Sequence, residues 1–207
     1  VAVLSTGPEA ANATTLSISN PEGLADASAA EAAFLLGLGT ATTETFEGFT
    51  AANPSSKPLF FDTSVGRFTQ TLAGSGGACA PTTCTGLSIL SAATTPFSGR
   101  FAVGGSNWLD SNDSREMKWE PTPLAMPTSL GFYITDPNDS SGRMDITAVD
   151  GSTVSTSFLN IFGTGAGDLD NGRVFYLSVF DPDGIASLTF FANDSTDGYG
   201  IDRFSIG

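Results

Sequence analysis

At 207 residues the chain suits one domain, and it carries 22 Asp and Glu against 8 Lys and Arg, for a formal net charge of −14. That balance excludes nucleic acid and anionic membrane surfaces as partners, because phosphates are met by clustered Lys and Arg. Histidine is absent, which excludes Ser-His-Asp and Cys-His catalysis and every imidazole-bound metal.

In chain order, "ATTLSIS" near the start alternates apolar and polar at Leu16 and Ile18, as a strand does. "NPEGLADASAAEAAFLLGLG" then spaces Leu24, Ala27, Ala30, Phe34 and Leu38 as a helix would, with Pro21 before it and Gly37 and Gly39 ending it. Its alanine face packs most simply across one end of a sheet layer. From Thr42 onward the texture is β. "TETFEGF", "GRFTQTLA", "LSILSA", "GRFAVGG", "EMKWE", "SLGFYITD", "RMDITAVD", "STSFLNIFG", "RVFYLSVFD", "ASLTFFAN" and "GIDRFSIG" are short runs separated by Gly, Pro, Asn, Asp and Ser. This spacing predicts an all-β, jelly-roll-like β-sandwich with one N-terminal helix. Residues 1–40 form a strand-and-helix extension and 41–207 the sandwich domain. The N-terminal strand either pairs with the open edge of another subunit or folds back onto its own sandwich.

Cys79 and Cys84, in "CAPTTC", are too close for a zinc finger and lack further ligands. They read as a local disulfide, with two free thiols as the alternative, and the disulfide implies an oxidising compartment. The sequence has no apolar run long enough to span a membrane. It begins at Val1, as a chain relieved of a signal peptide would, so the expected location is secreted, extracellular or at the cell surface.

The order "AAEAAFLLGLGTATTETFEGF", "GRFAVGGSNWL", "SLGFYITDPND", "MDITAVDGS" and "DGYGIDRFSIG" resembles secreted bacterial proteins of the PEP-CTERM class. Members of that class continue beyond the last strand into a sorting tail, whereas this sequence stops at Gly207. The resemblance implies an exported β-sandwich working in extracellular matrix, biofilm or floc together with polysaccharide.

The closing strand places Asp197 and Asp202 among the apolar Ile201, Phe204 and Ile206. In jelly-roll carbohydrate-binding modules a structural calcium joins the first and last strands, and Glu47 and Asp202 match the two carboxylate positions, with Asp197 on the preceding turn. Calcium takes six to eight oxygens, and it would turn carboxylate repulsion there into cohesion. The bland alternative has Glu47 and Asp202 facing solvent or pairing with Arg203 or Arg100. The loops holding Asp110 and Asp113, Asp136 and Asp139, Asp168 and Asp170, Asp181 and Asp183, and Asp194 and Asp197 are explained by turn chemistry. So are the glycan-acceptor triplets at Asn12, Asn112, Asn138 and Asn193.

Glu116 and Glu120 share one face of a strand at a separation too long for glycoside hydrolysis, with Trp119 on the other face. No enzyme is expected. For sugar binding the candidate platform is Trp108, flanked by Asn107, Asp110 and Asn112, with a buried core tryptophan as the alternative. The leading expectation is a non-enzymatic matrix protein that self-associates and is stabilised by calcium. The alternative is a module that recognises extracellular polysaccharide.

Overall fold

Alternation of apolar and polar residues decides which side of each strand is buried. On β9 (Gly142–Ala148), Met144, Ile146 and Ala148 face inward while Arg143, Asp145 and Thr147 face out. The computed structural model describes residues 14–19, 23–52, 58–75, 86–122, 126–137, 141–158, 160, 172–193 and 196–207. Among them are one helix, α1 (Leu24–Leu38), and thirteen strands in two antiparallel sheets. The remaining strands are β1 (Thr15–Ile18), β2 (Thr42–Glu44), β3 (Phe60–Thr63), β4 (Gly66–Leu72), β5 (Ser88–Ser91), β6 (Asn107–Asp110), β7 (Glu116–Glu120), β8 (Ser129–Thr135), β10 (Thr153–Ser157), β11 (Val174–Phe180), β12 (Ile185–Ala192) and β13 (Gly200–Ile206).

The seven-stranded sheet runs β1-β11-β8-β13-β6-β5, with β2 also pairing β13; the six-stranded sheet runs β10-β9-β12-β7-β4-β3. The fold is therefore the expected β-sandwich with one helix. Its inner layer is aromatic. Phe204 lies at the centre, with ring centroids 5.2 Å from Phe68, 4.9 Å from Trp119 and 5.2 Å from Phe132.

The inward residues of β13 are spaced three and then two apart, which a regular strand cannot do. A bulge resolves this. Between Asp202 and Ser205 the register against β8 shifts, and Arg203 takes up the extra position at φ 48°. Ile201, Phe204 and Ile206 then all reach the core, while Asp202 and Arg203 turn to the other side.

That other side is not solvent. The helix lies on the outer face of the seven-stranded sheet over β8 and β11, rather than across one end of a layer. Ala27, Ala30 and Phe34 pack on Tyr133 and Tyr176. Gly131 permits the approach, since a side chain there would run into Tyr176 and the Phe34 ring. β1 pairs with β11, so the described part of the N-terminal segment folds back onto its own sandwich.

Two strands carry no clear signal in the sequence: β3, and β6, whose "NWLD" reads as a binding loop. Conversely "GRFAVGG" is no strand. It forms part of an irregular strap, residues 97–106, lying over the outer face of β6 and β13. The run after Ser157 does not continue as strand through Phe158. No helix among the described residues is long and apolar enough to cross a membrane.

Candidate functional site

The strap is held almost wholly by carboxylates. Val103 and Gly104 donate their backbone N–H groups to Asp202 Oδ2 at 2.7 and 2.9 Å, and Arg203 N donates to Oδ1 at 2.7 Å. Ser106 and Asn107 both donate theirs to Glu47 Oε1 at 2.7 Å. Gly105, at φ 88°, brings the strap within reach, because a Cβ there would sit 2.5 Å from Glu47 Oε1. A strand would satisfy these N–H groups with carbonyls. Here carboxyl oxygens of Asp202 and Glu47 do so instead.

The strap's third anchor is Arg100. Its guanidinium, 3% exposed, meets Asp110 at 3.2 Å, Asp113 at 2.9 Å and Asp197 at 3.1 Å, with Asp136 at 4.0 Å from Nε. The ring of Phe97 lies 4.1 Å beneath it. Burial alone would lower the pKa of this arginine, but the surrounding carboxylates raise it. Burial pushes Asp110 and Asp113 up from the usual carboxylate range against the pull of Arg100. It pushes Asp136 up to about 6, although Gly172 N donates to its Oδ1 at 2.7 Å. Asp202 is pushed up to about 7 by burial that outweighs its three backbone N–H bonds.

Beside this cluster, Glu31 of α1 accepts Arg203 Nε at 2.6 Å and the Tyr133 hydroxyl at 2.9 Å. Burial raises Tyr133 to about 12. The helix and the bulge are thereby joined by one carboxylate.

The expected calcium ligands are not gathered as one set. Asp197 belongs to the Arg100 cluster, while Glu47 and Asp202 grip different points of the strap. Their oxygens accept backbone N–H groups, whereas calcium takes converging oxygens. Among the described residues no group of three or more such side chains is arranged to hold a metal.

The expected sugar platform also needs correction. Trp108 is 1% exposed, lies under the strap and donates Nε1 to Asp110 Oδ2 at 3.2 Å. Asn107 spends its amide on the carbonyls of Phe46 and Phe49, at 3.3 and 3.0 Å. Asp110 and Asn112 are fully buried, and Asn112 Nδ2 donates to Gly86 O at 2.9 Å. These four residues build the strap's foundation. A cavity of about 560 Å³ beside them is lined by small residues of the strap and of 91–95 together with Arg100, Phe101 and Trp108. Cys79 and Cys84 lie outside the described residues, as do Asn12, Asn138, Asp139, Asp168, Asp170 and Asp194.

The outer face of the six-stranded sheet is different: no helix or strap among the described residues lies on it. One row crosses all six strands, Ser155–Asp145–Thr189–Lys118–Thr69–Phe60. Its ions are paired in the plane of the sheet, Arg67 with Asp62 at 2.6 Å, Lys118 with Glu120 at 2.7 Å and Arg143 with Asp145 at 3.2 Å. Glu116 accepts Thr71 Oγ1 at 2.8 Å. Arg67 and Arg143 also lie over the rings of Phe60 and Phe191, at 4.2 and 3.7 Å. The face thus holds three of the chain's 8 cations against four of its 22 carboxylates, in a molecule of net charge −14. Sequence reasoning missed this face because its signal is spread one residue at a time over six strands.

No family model matches the chain, and no curated protein matches it. Among solved structures it is similar to the crystal structure of the K2 cleaved adhesin domain of Lys-gingipain, with a TM-score of 0.45 and 14% identity over 81% of this chain and 99% of that one.

Proposed function

We propose that this chain is a secreted, non-enzymatic module of a cell surface or extracellular matrix, and that its working face is the bare outer side of the six-stranded sheet. The observation that carries the reading is the contrast between the two sheets. One outer face is sealed by helix and strap, with its carboxylates and arginines spent on one another. The other presents a continuous row of hydroxyls and paired ions, nearly neutral where the rest of the surface repels polyanions and like molecules. Hydroxyls and planar ion pairs suit a polyhydroxylated matrix polymer, and the six strands offer it a regular bed about 24 Å wide. Two of the four carboxylates on this face, Glu116 and Glu120, are bonded to Thr71 and Lys118, which fits a binding face better than a catalytic one. Recognition through Trp108 loses its support because the ring is buried.

The test is retention on a panel of immobilised extracellular polysaccharides, comparing the protein with a Thr69→Glu/Thr189→Glu variant. Retention by at least one polymer, weakened about tenfold or more by two extra charges in the middle of the face, supports the proposal. Retention by none, or retention that the variant leaves unchanged, overturns it. Running the same panel with calcium and with a chelator asks whether the ion contributes, which the proposal does not require.

A further inference from the structure

A sheet edge is a row of unpaired N–H and C=O groups, and proteins usually protect it. Of the five edge strands, four are managed, the branch strand β2 by being only three residues long. β5 is bonded from outside by Ala52 N to Ile89 O at 3.0 Å. β3 carries Asp62 with its partner Arg67. β1 is only four residues long, and Thr15 has a further interaction. The fifth edge, β10, is protected by nothing among the described residues. Its sequence, Thr-Val-Ser-Thr-Ser, has no charge, proline or glycine, and it runs in unbroken register against β9 with no bulge. Its first three residues are exposed on both faces, and among the described residues nothing pairs with its outer side.

We infer that β10 is a docking edge for the β10 of a second copy, antiparallel about a two-fold axis at Ser155. The pairing would set Ser155 against Ser155, Thr153 against Ser157 and Val154 against Thr156, so every pair is small or β-branched and none is charged. Val154, 38% exposed in the single chain, gains a cover from the opposing Thr156 on the core side of the sheet. A copy of itself fits better than a charged partner because the strand offers no ion to meet one. The nearest charges, Asp145 of each copy beside Ser155, would be three strand spacings apart, about 14 Å, so they permit the pairing. The two six-stranded sheets become one continuous sheet of twelve, doubling the proposed binding face and allowing two-point attachment to a polymer. That last benefit rests on the proposed function, whereas the pairing itself does not.

The physics gives the pairing a signature. Each copy carries −14, so long-range repulsion opposes an edge whose own contacts are neutral. Raising salt from about 0.01 M to about 1 M shortens the screening length from about 30 Å to about 3 Å, so association should strengthen by about tenfold or more. Sedimentation velocity of the full chain over a concentration series at both salt levels reads this directly. The expected result is a monomer–dimer equilibrium that salt drives toward dimer. Ser155→Lys sets like charges face to face at the axis and should abolish the dimer at low salt. Thr156→Asp, tested separately, guards against an effect peculiar to position 155, and should weaken the dimer too. A protein that stays monomeric at every concentration and salt, or a dimer that both variants leave intact, overturns the inference. Polymer retention measured on the same monomeric samples separates this failure from failure of the binding face.

Discussion

Asp202 shows how a single residue can be picked out correctly in a sequence and given the wrong partner. Its position among apolar neighbours marked it as a carboxylate needing positive company. That company is two strap N–H groups and one of its own strand, none of which a side-chain pattern records. Its pH behaviour follows. The folded protein holds the proton up to about pH 7, whereas an unfolded Asp releases it near the ordinary value of 3.8. Between those limits the folded state binds more protons, so stability is greatest below the lower value and falls as pH rises toward and through 7. Asp136, at about 6, acts in the same direction. Urea unfolding midpoints should therefore be higher near pH 5 than near pH 8, and Asp202→Asn should flatten that difference, on the order of 2 kcal/mol. Arg100 gives the opposite kind of test. Arg100→Met leaves Asp110 and Asp113 buried without their cation, for an expected loss of about 3–5 kcal/mol. The strap should lift with it, seen as a red shift and easier quenching of Trp108 fluorescence.

At the level of elements, most strands were legible because period-two alternation survives wherever one face meets the core. β7, β9 and β12 stand where the pattern puts them. The failures have distinct causes. β6 was hidden because both of its faces are covered, so "NWLD" shows no alternation and its polar residues looked like a loop. "GRFAVGG" has a strand's composition, but the N–H groups of Val103 and Gly104 are taken by Asp202 of β13, and those of Ser106 and Asn107 just beyond it by Glu47. β13 was recognised, yet its bulge was needed to explain why Phe204 rather than Arg203 points inward. Phe204 touches the rings of three other strands, so Phe204→Ala should cost about 3–5 kcal/mol, measurable as a lowered denaturation midpoint.

For the molecule as a whole, composition and turn spacing were enough to reveal the sandwich. They could not reveal its asymmetry. Whether a sheet's outer face is bare or sealed depends on where a helix and a strap come to rest, and that is settled by contacts such as Glu31 with Arg203, 172 residues apart. The charge excess, visible in the count alone, takes on meaning only with the fold, which leaves one face nearly balanced.

The order of strands has a further consequence, in time rather than in space. β13 is the last strand of the described chain, yet it lies in the middle of its sheet, between β8 and β6. Without it, β1, β11 and β8 form one fragment and β6 and β5 another, and neither has a neighbour to close against. The strap has no Asp202 to grip, and the central ring of the core is missing. A chain threaded out of a narrow channel from its N-terminal end would thus stay pliable until those final residues emerged. It would then close from the centre outward, in a step that depends on contacts between distant parts of the sequence and is slow for that reason.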